Sequence, residues 1–347
     1  HRVDRRQRQM CIRDSKMTIL YAGIDIASKT FQAHWQHVGT GEVGEREFQQ
    51  CNSHYQTFIK RLKSLCEAEH IHVVMEATGN YWLYLALALY EAEIAVSVIN
   101  PQQAYHFAQS QLQRAKSDRI DARLLCDLLQ QHSPDLWTPP PAIYHGLYQR
   151  LTLRQELQDT RTQYRNRLHA LRRNPYAQDT IIATYEQLLT DLKNQIKQLD
   201  KEIEHLLLGD HEWHDAFVYL CSIPGISTVS AAWILVKTHA FARCDTPEQA
   251  VAFAGLAPHE RSSGQWQGRR YTGGGHARLR SILYLCAGSA IQHNPPIKAF
   301  YQRLVKRGKI KQVARVASAR KLLVMAWACV TKQRLFDPNF QQQLQVA

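Results

Sequence analysis

Four acidic residues have types and spacing that could do chemistry. They are Asp25 in "YAGIDIASKTF", Glu76 in "VVMEATGNYW", and Asp118 and Asp121 in "AKSDRIDARLL". Asp25 and Glu76 each close an apolar run that reads as a buried strand, and ligand chemistry in open sheets collects outside the carboxyl ends of strands. Asp118 and Asp121 are three apart at the start of a helical pattern, so their carboxylates share one face. An all-oxygen set of this kind suits a hard cation such as Mg²⁺. Two such ions ~4 Å apart could activate a nucleophile and stabilise the leaving oxygen in phosphodiester cleavage. Without a cation, clustered carboxylates repel one another. Lys116, Arg119 and Arg123 flank the aspartate pair and suit a role in guiding DNA. A plainer reading exists for each acid: a carboxylate at a strand end is commonly a turn or a cap, and Asp118 could simply cap its helix.

These residues need elements to position them. From Met17 the pattern reads strand, strand, strand, helix, strand, helix, strand, helix. "TILYAGIDIA" is an apolar buried strand, "TFQAHWQHV" alternates like a half-exposed antiparallel one, and "VGEREFQQC" follows a "GTGE" turn. Ser53–Glu67 has helical spacing, "IHVVMEA" and "IAVSVIN" are buried strands, and a helix covers Tyr81–Tyr90 between them. A further helix runs from Pro101 to about Arg114, and another starts near Asp118 beside the first strand. Three antiparallel strands followed by alternating helices and parallel strands is the ribonuclease H-like order. The expected fold class is therefore α/β plus α, with a ribonuclease H-like (RuvC-like) first domain over 17–133.

Residues 134–143, "PDLWTPPPAI", are rich in proline and read as a linker. Helical arms follow over 144–208, broken at Asn174-Pro175. In the second arm Leu189, Leu192, Ile196, Leu199, Ile203 and Leu206 alternate three and four apart, a heptad seam. We expect an antiparallel coiled-coil hairpin, used for association or RNA contact or serving only as a spacer. Residues 213–335 form a mostly helical domain that opens on "LCSIPGISTVSAAWIL", a helix-hairpin-helix-like pattern. The Gly225 turn would expose backbone N–H groups where a phosphate can sit, or make an ordinary helix corner. Residues 336–347 are a tail.

Composition narrows the class. The chain has 347 residues, 45% of them hydrophobic, and a net charge of +13. Between Pro258 and Lys321 there are fourteen Lys and Arg against one acid, Glu260, an asymmetry that suits polyanions. The eight cysteines are scattered with no C-x-x-C pair, which argues against zinc or a disulfide framework and fits a reducing cytoplasm. The apolar runs fall well short of the ~20 residues of a membrane helix, so no membrane partner is expected. Residues 1–16, basic and without apolar periodicity, are expected to be a disordered leader or an artefact preceding Met17.

The stretches "YAGIDIASKTF", "VVMEATGNYW", "INPQQAYHFAQ" and "AKSDRIDARLL" resemble the N-terminal DEDD domain of bacterial insertion-sequence transposases, the bridge-RNA-guided recombinase family. "IPGISTVSAAWIL", "FAGLAPHERSSGQWQGR" and "GGGHARLRSILYLCAG" are similar to that family's C-terminal transposase domain. The resemblance covers about Met17 to Val330. It implies that Asp25, Glu76, Asp118 and Asp121 are the catalytic, Mg²⁺-binding acids. It also implies a serine nucleophile at Ser263, before Gly264, with Ser262 as the alternative, forming a transient phosphoserine link to DNA. The implied partners are target and donor DNA, a structured noncoding guide RNA, and further copies of the chain, as dimers pairing into a tetramer on DNA. A bacterial cytoplasmic, nucleoid-associated location follows. The linker "GQWQGRRYTGGG" departs from the family's commonest form.

Around that serine, Arg261, Arg269, Arg270, Arg278 and Arg280 are spaced through a glycine-rich stretch where guanidinium groups could meet phosphodiester oxygens. Trp266 could stack on bases, whereas Tyr271 is expected in the core. Three other functions are compatible with parts of the pattern. A RuvC-like junction nuclease would hydrolyse DNA with water and ignore Ser263. An actin- or sugar-kinase-like ATPase is suggested by "GIDIASKT" but lacks a second glycine-rich loop. A non-catalytic RNA-binding derivative would have no need of the acids.

Overall fold

A computed structural model describes residues 19–112, 117–242, 244–259, 262–263, 266–267 and 271–339, with the backbone alone at 262–263 and 266–267. The chain divides into two compact units at Pro139/Pro140.

The first unit is built on a five-stranded mixed sheet in the order β3-β2-β1-β4-β5. β1 (Leu20–Ile26), β2 (Thr30–His37) and β3 (Val43–Gln49) are antiparallel neighbours, while β4 (Ile71–Glu76) and β5 (Ala95–Ile99) add in parallel. Three antiparallel strands followed by parallel ones are what the sequence led us to expect. One sheet face packs on α1 (Asn52–Lys63) and α2 (Leu83–Glu91), through Phe58, Ile59, Leu62, Leu85 and Leu89. The other packs on α3 (Pro101–Ser110) and α4 (Asp118–His132), through Phe107, Leu125, Leu128 and Leu129.

β2 corrects the expectation of a half-exposed strand. Its polar residues Gln32, His34 and His37 are as buried as Phe31, Ala33 and Trp35, because helices cover both faces. The segment 134–143 is likewise no free tether at its start. Trp137 donates its N–H to Val96 O (2.6 Å) and packs edge-on against Trp82 and Tyr90. Ser97 Oγ, donating to Pro134 O, receives a hydrogen bond from His72 Nε2 (2.8 Å); burial pushes this histidine down to about 4, so it stays neutral.

The second unit begins with a long helical hairpin, α5 (Ala142–Leu171) and α6 (Asp179–Leu208). Ile196, Leu199, Ile203 and Leu207 are buried along α6. Arg150–Glu202, Arg154–Asp200 and Arg172–Glu186 join the arms, so two α5 arginines and the one that caps the helix's C-terminus already have acidic partners. α7 (His214–Cys221), α8 (Thr228–Thr238), α9 (Pro247–Phe253), α10 (Ala277–His293), α11 (Pro295–Lys306) and α12 (Lys311–Thr331) surround one core. Between α9 and α10 lie four two-residue strands: β6 (Pro258–His259) pairs with β9 (Tyr271–Thr272), and β7 (Ser262–Ser263) with β8 (Trp266–Gln267). Among the described residues no helix is long and apolar enough to cross a membrane.

Candidate active site

Asp25 is next to last in β1, and Glu76 ends β4. Parallel pairing sets Gly23 opposite Val74 and Ile24 opposite Met75, so Asp25 and Glu76 stand level on adjacent strands and share a sheet face. That face belongs to α4, because Tyr21 and Val74 pack with Leu125, Leu128 and Leu129. The alternate residues Ala22, Ile24, Val73 and Met75 enter the opposite core.

α4 reaches this strand because residue 23 has no side chain. A Cβ there would lie 2.1 Å from the Ala122 carbonyl oxygen and 2.3 Å from the Cys126 nitrogen. One turn along, Cys126 Sγ donates to Tyr21 O at 3.5 Å. The turn from Ala122 to Cys126 thus straddles Gly23, and the Cys126 side chain runs on to Tyr21. Four helical residues rise ~6 Å, about the span of two strand residues, so the start of α4 falls over Asp25. Ser117, not Asp118, caps this helix: its Oγ accepts from the Ile120 N–H. Asp118 is therefore left with no capping duty.

The electrostatics record the convergence. The Asp25 carboxyl is pushed up to about 6, first by burial and then by the negative charges of Asp118, Asp121 and Glu76. Thr78 Oγ1 donates to Glu76 Oε1 at 2.9 Å and steadies that carboxylate. Two β2 residues border the same face: Gln32, 6% exposed, pairs across from Asp25, and His34 pairs across from Gly23 with a buried Nδ1 that has no partner. Sequence reasoning missed Gly23, Gln32 and His34. The signal for Gly23 was its position two residues before a strand-end aspartate, where it shares that aspartate's face.

The donor set is carboxylate throughout, since Cys126 is engaged with Tyr21 and its burial pushes the thiol up. Such a set, carrying surplus negative charge, fits a hard divalent cation. The four acids are more loosely spaced than a closed ligand shell. Among the described residues, the one group of three with ligand atoms all within 4.8 Å of one another is Glu67, Glu69 and His70. That group precedes β4, at the opposite end of the strand from Glu76, and belongs to a short surface turn.

Of the flanking cations, Arg119 Nη1 lies 3.5 Å from Glu45 Oε1 of β3, and Arg123 is near enough to His34 to help lower its pKa, after burial. Lys116, Arg261, Arg269 and Arg270 lie outside the described residues. Ser262 and Ser263 form one side of the inner hairpin, opposite Gln267 and Trp266. Tyr271 corrects the expectation of core packing: it is 46% exposed on β9, its ring 5.6 Å from that of His259. Gly225 has a packing reason, with φ at +107° and a Cβ position 2.6 Å from Ala290 Cβ of α10. Asn294 Nδ2 closes this corner by donating to Pro224 O. Arg278 stacks on Trp233, and Arg280 donates to the Gly274 carbonyl.

A mixed α/β unit with acids gathered at one end of its sheet, joined to a basic helical unit, has the makings of an enzyme acting on nucleic acid. Residues 22–173 match the family described as Transposase, of the IS110 DEDD type, and residues 218–302 match Transposase IS116/IS110/IS902 family. The chain belongs to this IS110-type family of insertion-sequence transposases. It is 28% identical over 336 residues to a pilin gene-inverting protein of Moraxella bovis, covering 94% of this chain and 100% of the relative. A pilin gene-inverting protein of Moraxella lacunata is 29% identical over 337 residues, with the same coverage. The transposase for insertion sequence element IS1328 of Yersinia enterocolitica is 23% identical over 351 residues, covering 91% of this chain and 98% of the relative. Membership in the family indicates a DNA-recombining enzyme.

Proposed function

We propose that this transposase is RNA-guided and cuts and rejoins DNA through Asp25, Glu76, Asp118 and Asp121, with Ser263 as nucleophile. The observation that carries the acidic half is the placement of Asp25 and Glu76 level on adjacent strands with α4 brought onto β1 at Gly23, and the raised Asp25 carboxyl, with the other three acids among its causes, agrees with it. In this reading the four carboxylates hold Mg²⁺, which supplies charge neutralisation at the scissile phosphate. Burial of Asp25 and the approach of α4 at Gly23 keep the acids together. The serine half rests on the resemblance of "HERSSGQWQGR" to the family motif. The Ser263 Oγ–P bond forms as one P–O bond of the strand breaks, and the leaving hydroxyl takes up a proton; rejoining reverses both steps. Acids of one copy would serve the serine of another within a dimer, two dimers assembling on DNA. Arg119, Arg123, Gly225, Arg261, Arg269, Arg270, Arg278, Arg280 and Lys116 would contact nucleic acid, and a structured noncoding RNA would choose the target and donor sequences by base pairing. The inverting relatives suggest that excision, insertion and inversion are outcomes of one chemistry.

The test is denaturing electrophoresis of the purified protein with Mg²⁺, its element's noncoding RNA and labelled DNA. A covalent protein–DNA adduct that survives denaturation and vanishes in Ser263→Ala, but not in Ser262→Ala, supports the reading. Undiminished cleavage by Ser263→Ala without any adduct would favour water as nucleophile and a junction-nuclease activity.

A further inference from the structure

Two basic side chains of the second unit meet over one indole, and a histidine lies near enough to one of them to feel its charge. Trp233, on α8 and 6% exposed, has the Lys237 Nζ 5.3 Å from its ring centroid and the Arg278 guanidinium carbon at 4.9 Å. Lys237 also lies 4.4 Å from the ring centroid of Tyr148 on α5. His276 caps α10, its Nδ1 accepting from the Leu279 N–H, which leaves Nε2 outside that bond.

Like charges meet here without an opposite one. Burial and then Arg278 hold Lys237 below the usual lysine range; burial, then Lys237 and in last place Arg280, hold His276 low. Among the described residues, none of the three forms an ion pair with an acid. The first turn of α10 has no acid either, so the partial positive charge of that helix end adds to the same field. Aromatic faces attract cations but do not cancel their mutual repulsion. Uncompensated, this arrangement costs stability, and an anion would relieve it. Its place in the chain says which anion. His276 follows β9 by four residues, so the cluster stands at the root of the hairpin that carries Ser262 and Ser263.

We propose that Lys237, Arg278 and His276 form a phosphate-holding site, built to take a phosphodiester group of the DNA strand that the enzyme cuts. The identity of the strand rests on the transposase reading above; the anion site rests on the cluster itself. Arg278 supplies a planar fork for two phosphate oxygens and Lys237 a point charge, and His276, whose Nδ1 is taken up by the Leu279 N–H, offers its Nε2–H as a third donor.

Fluorescence anisotropy of a labelled DNA duplex, over a series of salt concentrations, tests the proposal. Lys237→Met and Arg278→Met are each expected to weaken binding several-fold and to lower the slope of log K against log salt by about one. Lys237→Arg is expected to restore both. Lys63→Met, which removes one exposed charge of the first unit, serves as the control and is expected to leave the slope unchanged. In the protein without DNA, Lys237→Met is expected to melt no lower than wild type. Wild-type affinity and slope in both methionine variants would overturn the proposal, as would a lowered melting point of Lys237→Met with unchanged DNA binding. A loss confined to an RNA duplex would overturn DNA as the occupant. Weakened, flatter-sloped binding in a protein that never forms the serine adduct would uphold this site while the serine reading failed.

Discussion

The acidic end of the five-stranded sheet and the basic cluster around Trp233 are electrostatic opposites built in the same way. In the first, a carboxyl is half-buried beside three like charges; in the second, a lysine is half-buried beside an arginine. Burial and repulsion act together in both, raising the acid's pKa and lowering the base's. Near neutral pH, Asp25, with a pKa of about 6, is mostly ionised, while burial and Arg278 hold Lys237 below the usual lysine range. Each region therefore holds unfavourable charge that a ligand of the opposite sign would relieve. Such strain is expected where binding, not folding, sets the design.

Removing the charge at the acidic end should produce the largest effect. Asp25→Asn is expected to reduce DNA cleavage roughly 10⁴-fold, as loss of one member of a catalytic unit does. The same substitution should raise the melting temperature of the metal-free protein, measured by calorimetry in chelator, because repulsion and burial cost disappear together. A fall in melting temperature would show that the carboxylate is structural and would break the comparison.

Next comes the packing that makes the cluster. Gly23→Ala places a methyl against the α4 backbone, which must move. A stability loss of about 1–3 kcal/mol is expected from denaturant titration, together with weaker Mg²⁺ binding as α4 shifts from Asp25. Stability loss with unchanged metal affinity would separate the close approach from the site.

The pH dependence should then differ in sign between the two regions. Asp25 has a folded pKa raised from 3.8 to about 6, so the folded state binds this proton more tightly. Its contribution to stability is fully present below about pH 4 and is lost as pH rises through about 6. Lys237 has a depressed folded pKa, so its contribution is present above the unfolded lysine value and is lost as pH falls through the folded one. Melting curves in chelator between pH 4 and 7 should show a downward contribution that Asp25→Asn removes. Added Mg²⁺ should stabilise more at pH 7 than at pH 5, since ligands must shed protons to bind.

The smallest effect should come from charge pairs that are already compensated. A double-mutant cycle on Arg154 and Asp200 of the helical hairpin is expected to give a coupling below about 1 kcal/mol. A much larger coupling would mean that the arms, too, store electrostatic energy.

The sequence by itself determined the element order of the first unit, because apolar runs and helical spacing are local signals. It also marked out the four acids, since each lies at the end of a strand or in the first turn of a helix. Only the tertiary structure decided that β2 is buried on both faces, that Ser117 relieves Asp118 of capping, and that Tyr271 is exposed. Gly23 and Lys237 were invisible for the same reason. Close approach of a helix to a strand, and repulsion between cations 41 residues apart in the chain, arise between segments that no window along the sequence brings together.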